Sequence, residues 1–160
     1  MKSAIIYYSY SGNTKKVAGT LCEYLAAKGS ADIIALEAAQ ESDNFLVQCF
    51  RAFRHRRAAL APVNFDLHAY DMLCFGTPVW AFGPAPAMNA YLEQCSGITA
   101  QSVVLFTTYG SGTGNQRCLN YMQEILKKKG VENFIQFSIQ QGKVKDKAFV
   151  LSKIKECMRL

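Results

Sequence analysis

Residues 3–14 read SAIIYYSYSGNT and contain the two patterns on which the fold prediction depends. The first half is a continuous apolar run, which is typical of a parallel strand covered on both faces. The second half is a turn of small and hydroxyl residues that includes Gly12. From Asn13 to Lys28 apolar residues recur at helical spacing, and Gly29 stands where a helix usually stops. This stretch therefore predicts one strand followed by one helix.

Strand and helix patterns alternate through the rest of the chain. Further strands are predicted at 31–36, 71–76, 102–107 and 133–139, and further helices at 84–96, 115–129 and 145–158. The last strand alternates apolar and polar residues, which is typical of a strand at the edge of a sheet. Strictly alternating strands and helices predict a parallel sheet with right-handed crossovers and helices on both faces. The predicted fold is a doubly wound α/β domain with five strands.

Bulk properties place limits on the class of protein. The 160 residues contain no internal repeat and no Pro- or Gly-rich linker, so residues 1–160 are predicted to form one domain. The six cysteines are spread singly, which favours reduced thiols in a cytoplasmic protein over a metal site. The amino terminus is interpreted as a strand and not as a signal peptide. The longest apolar stretch, 72–92, is broken by Gly and Pro, which excludes a membrane span.

The segment 37–66 is the least regular, and it is strongly basic. Its apolar residues share one helical face and could form a dimer interface: Phe45, Cys49, Phe50 and Phe53. Its basic residues crowd the end of that helix: Arg51, Arg54, His55, Arg56 and Arg57. One interpretation is a solvated helix end whose cations complement the helix dipole. The other is a receptor for an acidic ferredoxin-like protein, for the phosphates of NADPH or for an anionic substrate.

Three loops follow predicted strands and carry the residues suited to ligand binding. In 9–14, small residues and hydroxyls before a helix form a phosphate cradle, or alternatively an ordinary capped turn. In 76–83, the only tryptophan lies in a Pro-containing loop. Its indole could stack against a flat heteroaromatic ring, or alternatively it could pack into the core. In 107–115, three glycines allow main-chain amides to reach ring acceptors, or alternatively form a flexible connection. Such loops gather at the carboxyl edge of a parallel sheet, where ligands bind.

Together the loops SYSGNT, GTPVWAFG and TTYGSGTGN resemble those of the flavodoxin superfamily in its short form. The resemblance covers nearly the whole chain and implies strand order 2-1-3-4-5 with FMN as the cofactor, an arrangement for which flavodoxin is the standard example. It implies that the phosphate is held by Ser9, Ser11, Gly12, Asn13 and Thr14. It implies that the ring is contacted by Thr77, Pro78, Val79 and Trp80. It implies that the polar edge of the ring is bordered by Thr108, Tyr109, Gly110 and Gly112.

The chain departs from well-known flavodoxins in its charge. Flavodoxins are acidic around the flavin, whereas the net charge here is +6 and the three loops contain no Asp or Glu. Lys15 and Arg117 stand just beyond two of the loops. The basic balance raises acidic proteins and anionic substrates as partners, and no nucleic-acid-binding module accompanies it. His55 and His68 lie outside the loops and are expected to be solvated or structural.

Two functions fit these residues. In the first, the protein is a redox carrier that moves electrons between other proteins through bound FMN. In the second, it is an NAD(P)H-dependent quinone or flavin reductase, in which FMN takes a hydride and delivers two electrons to a small acceptor. The carrier is slightly favoured because the chain has little material for a separate nicotinamide site. The sequence leaves the oligomeric state open, including a homodimer.

Overall fold

Parallel strands and helices alternate along the residues that the structure, a computed structural model, describes: 1–38, 59–98 and 102–158. The strands are β1 (Lys2–Tyr7), β2 (Ser30–Ala35), β3 (Met72–Trp80), β4 (Gly83–Pro84), β5 (Ser102–Tyr109) and β6 (Phe134–Gln140). The helices are α1 (Asn13–Ala26), α2 (Pro86–Gln94), α3 (Asn115–Lys127) and α4 (Lys147–Cys157), and a short 3₁₀ turn covers Gln141–Lys143. The basic segment predicted between Phe45 and Arg57 lies outside the described residues.

The five long strands form one parallel sheet in the order β2-β1-β3-β5-β6. The two-residue strand β4 pairs only with β3, and antiparallel. Without β4 the order is the predicted 2-1-3-4-5, so the predicted α/β fold is confirmed. Strand β6 has a described neighbour on one side only, as the alternating pattern of 133–139 predicted.

The region after residue 76 differs from the sequence prediction. Strand β3 continues to Trp80, and Trp80 and Val79 then pair with Gly83 and Pro84 in a hairpin. Ala81 and Phe82 make the turn of this hairpin, and both have positive φ, 46° and 68°. The predicted helix at 84–96 therefore begins two residues later, because its first residues are held in the hairpin. Most of the predicted loop 76–83 is therefore strand, with residues 76–80 in β3 and Gly83 in β4.

Apolar side chains cover both faces of the sheet. Helices α1 and α4 pack on one face, where Val17 and Ile154 are fully buried in the same cluster as Ile5. Helices α2 and α3 pack on the other face, where Met88 and Met122 are buried in the same cluster as Ile6. Successive side chains of a strand point to opposite faces, so Ile5 and Ile6 enter different clusters. This double burial explains the unbroken apolar run of β1.

The remaining features concern the cysteines, metal binding and membrane insertion. The described cysteines are free thiols: Cys22, Cys74, Cys95, Cys118 and Cys157. Within the described ranges no group of three His, Cys, Asp or Glu side chains is placed to hold a metal ion. None of the helices described is long and apolar enough to cross a membrane.

Candidate functional site

The three predicted loops meet in one cleft at the carboxyl edge of the sheet. Strands β1, β3 and β5 are neighbours, so the segments that follow them lie side by side. They enclose a cleft of about 450 Å³. Its walls are Tyr10, Ser11, Asn13, Pro78, Val79, Trp80, Thr108, Tyr109, Gly110, Ser111 and Gln141. None of these described wall residues is Asp, Glu, Lys, Arg or His.

The first wall ends at the amino terminus of α1. Gly12 precedes the helix with φ of 81°, a left-handed conformation that L side chains rarely adopt. Gly12 at the N-cap position provides no side-chain cap, and the first intrahelical bond runs from the Lys16 N–H to the Gly12 carbonyl. The N–H groups of the first turn therefore have no intrahelical partner, and the helix dipole adds partial positive charge there. This geometry suits an anion such as a phosphate.

Two buried hydroxyls stand behind the first wall and differ in how they are satisfied. The Oγ atom of Ser9 is buried and has no hydrogen-bond partner among the described residues. Thr14 and Thr108 share a buried hydrogen bond of 2.8 Å between their hydroxyls, which joins the first loop to the third. At the surface, the Asn13 side-chain amide donates to Ser11 Oγ at 3.2 Å. Ser9 thus retains a hydrogen-bonding group for a ligand, whereas Thr14 holds two loops together.

The second wall is rigid. Thr77 is fully buried, and its hydroxyl accepts the Ala85 N–H at 3.0 Å and donates to the Pro78 carbonyl at 3.1 Å. The hydroxyl thus fastens the end of β3 to the start of α2. Trp80 is only 5% exposed, with Tyr8 and Tyr10 packed edge-on against it at ring-centroid distances of 5.7 Å. The indole is therefore embedded in the wall, whereas Tyr10, also a wall residue, is 42% exposed to solvent.

The third wall is held from both sides. The Gln140 side-chain amide donates to the Gly110 carbonyl at 3.3 Å, and a Cβ atom at Gly110 would lie only 3.0 Å from the side chain of Gln141. At the other end, Gly114 has φ of 86°, and a Cβ atom there would meet the ring of Phe82 at 2.5 Å. A side chain at Gly114 is therefore disfavoured both by the left-handed backbone and by Phe82, whereas at Gly110 the flexible end of Gln141 would have to move.

Residues 1–137 match the family model described as NADPH-dependent FMN reductase. The chain belongs to this family. Several solved structures share its fold. One from Bacteroides uniformis superposes with a TM-score of 0.74 at 19% identity, covering 96% of this chain and 97% of the other. A flavoprotein in complex with FMN from Lactobacillus acidophilus gives 0.66 at 21% identity, covering 92% and 98%. Oxidised flavodoxin 1 from Bacillus cereus gives 0.59 at 16% identity, covering 97% and 98%.

These matches confirm the prediction of a flavodoxin-like flavoprotein from the sequence, and they support FMN as the cofactor and an oxidoreductase as the class. The family description also contains the alternative function that the sequence left open, a nicotinamide-dependent reductase. It does not specifically support the carrier. The site residues themselves rest on the geometry.

The structure brings most of the predicted site residues of this FMN reductase family member to the cleft. Those that line it are Ser11, Asn13, Pro78, Val79, Trp80, Thr108, Tyr109 and Gly110. Those that do not line it are Ser9, Gly12, Thr14, Thr77 and Gly112. The cleft also contains Tyr10, Ser111 and Gln141, which the sequence reasoning missed. Tyr10 and Ser111 lie within the quoted loops, whereas Gln141 follows β6 and carries no sequence signal.

The histidine expectation is met where the structure describes it. His68 is exposed and lies outside the cleft, with its Nδ1 atom 2.8 Å from the Asp66 carboxylate. Hydrogen bonds from the ring and the main chain of His68 hold the pKa of Asp66 below its usual value. His55 is outside the described residues.

Proposed function

We propose that the cleft binds FMN and that the protein is a nicotinamide-dependent reductase of flavins or quinones. The observation that carries the proposal is the uncharged cleft whose one end is the uncapped amino terminus of α1. FMN has a doubly charged phosphate at one end and a flat, uncharged aromatic ring system at the other. A helix amino terminus suits the first, and an uncharged aromatic cleft suits the second.

The residues present fit the cofactor. The phosphate would be held by the first-turn N–H groups of α1 together with Ser9, Ser11 and Asn13. The buried Ser9 hydroxyl, which lacks a partner among the described residues, is the kind of group that a bound phosphate satisfies. The ring would lie between the wall of Val79 and Trp80 and the wall that contains Tyr109. When bound, FMN supplies the capacity to accept a hydride and to release electrons singly or in pairs.

The choice between reductase and carrier rests on the family. The description of the matching family names NADPH as the reductant, which favours direct use of a nicotinamide nucleotide. The carrier remains the second candidate, because the described residues add only the two-residue β4 to a five-stranded core. A carrier needs no nicotinamide site, and no separate nucleotide-binding unit is visible in 1–38, 59–98 and 102–158.

We further propose that residues 1–160 form one domain and that the protein is located in the cytoplasm, where the free thiols described would remain reduced.

Titration of the apoprotein with FMN tests the cofactor site. A protein with this cleft is expected to bind FMN with Kd below about 10 μM, which corresponds to about 7 kcal/mol. Folded apoprotein that fails to bind FMN in this range would refute the site.

Stopped-flow reduction of the FMN-loaded protein separates the two functions. A reductase is expected to lose its flavin absorbance rapidly when mixed with NADPH or NADH, with a rate that saturates in nucleotide. A carrier is expected to be reduced by dithionite and by neither nucleotide. The second result would overturn the reductase and leave FMN binding intact.

A further inference from the structure

We infer that the cations around the cleft form a docking surface for an acidic electron-carrier protein. The surface, named here the basic rim, consists of Lys15, Lys16, Arg117, Lys143 and Lys145. The inference goes beyond the proposed function, since docking requires neither NADPH nor hydride transfer.

The lysines of the basic rim lie close in the sequence to residues that line the cleft. Asn13 lines the cleft, and Lys15 and Lys16 follow it within the first turn of α1. Gln141 lines the cleft on the other side, and Lys143 and Lys145 follow it. Lys16 and Lys145 both line a groove of about 290 Å³ beside α1, and Glu23 is the one carboxylate among the described residues that line it. These two cations from separate segments of the chain therefore belong to one surface.

The third part of the basic rim is Arg117, in the first turn of α3. Its guanidinium lies 5.9 Å from the centroid of the Phe82 ring. Phe82 is 48% exposed, so this cation and its aromatic partner are both presented to solvent. Tyr10, 42% exposed, lies at the cleft itself. Exposed aromatic side chains and Arg are the residues that most often anchor protein interfaces.

None of the five cations in the basic rim has an ion pair among the described residues. Some cations elsewhere do, since Lys2 pairs with Asp32, Lys127 with Glu124 and Lys153 with Glu156. Lys147, beside the groove, pairs with Glu23. The charge of the basic rim is therefore not neutralised within the described residues, which favours the attraction of an anionic partner.

The position of the cations within their helices strengthens this potential. Helices α1 and α3 both begin at the carboxyl edge of the sheet, and neither has an acidic residue in its first turn. The helix dipole disfavours cations at that end, where carboxylates are the stabilising choice. Lys15, Lys16 and Arg117 therefore add their charge to that of two helix amino termini. Cations at these positions lower the stability of their helices, but they favour the attraction of an anionic partner.

Among anionic partners, a protein fits best. The lysines of α1 and Arg117 of α3 belong to helices on opposite faces of the sheet, and Tyr10 and Phe82 are exposed aromatics near them, an arrangement suited to a broad contact with a carboxylate-rich surface. Asn13 and Gln141, which lie close to the lysines along the chain, line the cleft, so a carrier docked on these lysines would lie near the flavin. The cations do not follow one another along a single helix or strand, as they commonly do in a nucleic-acid-binding element.

Binding of an acidic [2Fe–2S] ferredoxin in its oxidised form tests the inference without any electron transfer. Titration calorimetry at low salt is expected to show a complex that weakens steeply as salt is added. The double variant Lys16→Glu/Lys145→Glu is expected to bind about tenfold or more weakly. The matched control Lys128→Glu/Lys155→Glu makes the same change in net charge at two exposed cations far along α3 and α4, and is expected to lose less than about twofold. Circular dichroism and FMN titration check that both variants fold.

Three results would overturn the docking surface. The first is no detectable ferredoxin binding by the original protein at low salt, and the second is an equal loss in both double variants. The third is evidence that these cations bind a different anion. In that case Lys16→Glu/Lys145→Glu leaves ferredoxin binding unchanged and instead raises the KM for NADPH or abolishes binding of a labelled DNA duplex. The reductase proposal is judged separately by the stopped-flow experiment, and either proposal can fail while the other stands.

Discussion

The buried hydroxyl of Ser9 is the residue whose substitution best separates ligand binding from folding. It has no partner among the described residues, so Ser9→Ala removes an unsatisfied group, and we expect the apoprotein to be as stable as before or slightly more stable. FMN affinity is expected to fall by about 1–3 kcal/mol through the loss of a hydrogen bond to a charged phosphate. Riboflavin affinity is expected to stay unchanged. Titration of both ligands, followed by urea unfolding of the apoprotein, gives the three values.

Thr14 provides the control for this experiment. Thr14→Val removes one partner of the buried 2.8 Å bond with Thr108, and is expected to lower the free energy of unfolding by about 1–2 kcal/mol. Equal losses of FMN and riboflavin affinity in Ser9→Ala would contradict a phosphate contact at Ser9.

Trp80 is the only tryptophan, so its fluorescence reports directly on the second wall. Its indole lies in the wall of the cleft, and an isoalloxazine ring bound there would be close enough to quench its emission strongly. We expect most of the emission to be lost at saturating FMN. The same quenching is expected with riboflavin, because the ring and not the phosphate causes it. Unchanged emission at saturation would place the flavin away from this wall.

At the scale of elements, helix α2 is held at its carboxyl end by a lysine from a distant segment. The Lys129 ammonium donates to the carbonyls of Glu93 and Cys95, each at 2.9 Å. Carbonyls at a helix carboxyl terminus lack intrahelical partners, and a cation there also complements the helix dipole. We expect Lys129→Met, which keeps the apolar stem, to lower the free energy of unfolding by about 1–2 kcal/mol in urea denaturation.

Lys128 is the matched neighbour for this prediction. It is exposed, and within the described residues its side chain makes no hydrogen bond to the end of α2. Lys128→Met is expected to change stability by less than about 0.5 kcal/mol. If the two variants unfold at the same urea concentration, Lys129 does not cap α2.

At the scale of the whole molecule, burial of the thiols makes stability depend on alkaline pH. Burial raises the pKa of Cys95 to about 11 and raises those of Cys74 and Cys118 as well. In the unfolded chain a thiol titrates near pH 8.5. Above that pH the unfolded chain releases protons that the folded protein keeps, so the free energy of unfolding falls as pH rises. Below it, the contribution of these thiols is fully present.

We therefore expect urea midpoints that are level from pH 7 to 8 and then fall between about pH 9 and 10.5. Each buried thiol contributes a slope of at most about 1.4 kcal/mol per pH unit. Cys118→Ala removes one titrating group, and its slope is expected to be shallower even though the variant starts from a lower stability. An unchanged slope would show that another group governs the alkaline loss.

The uncharged cleft sets an expectation for the redox potentials. Negative charge near a flavin opposes the second electron, because that electron forms an anion. The wall residues that the structure describes include no carboxylate, so the second potential is expected to be less negative than in an acidic flavodoxin. One unit charge at about 8 Å and an effective dielectric of about 20 contributes about 2 kcal/mol, or on the order of 90 mV, before screening.

Placing a carboxylate in the cleft measures this effect. Ser111→Asp adds one charge at an exposed wall position and is expected to lower the second potential by tens of millivolts in a spectroelectrochemical titration at pH 7. Ser111→Asn, similar in size and neutral, is the control and is expected to leave the potential near its original value. If the two variants shift alike, loop geometry and not charge sets the potential.

The amino-acid sequence by itself determined the α/β class and the three loops at the strand ends. Those properties depend on patterns that repeat within a few residues, such as the apolar run of β1 and the left-handed turn at Gly12. The same local patterns predicted the bounds of each described helix to within about two residues. They did not predict that β3 continues to Trp80 and pairs with Gly83 in a hairpin.

Only the tertiary structure decided which side chains share the cleft. Gln141 reaches it because β6 pairs beside β5, with Gln140 opposite Tyr109. Thr14 is tied to Thr108, ninety-four positions away, and Trp80 is embedded between Tyr8 and Tyr10. Lys16 and Lys145 of the basic rim likewise line one groove only when α1 and the segment after β6 pack together. Such contacts join segments far apart in the chain, and they depend on strand order and register, which no local pattern encodes.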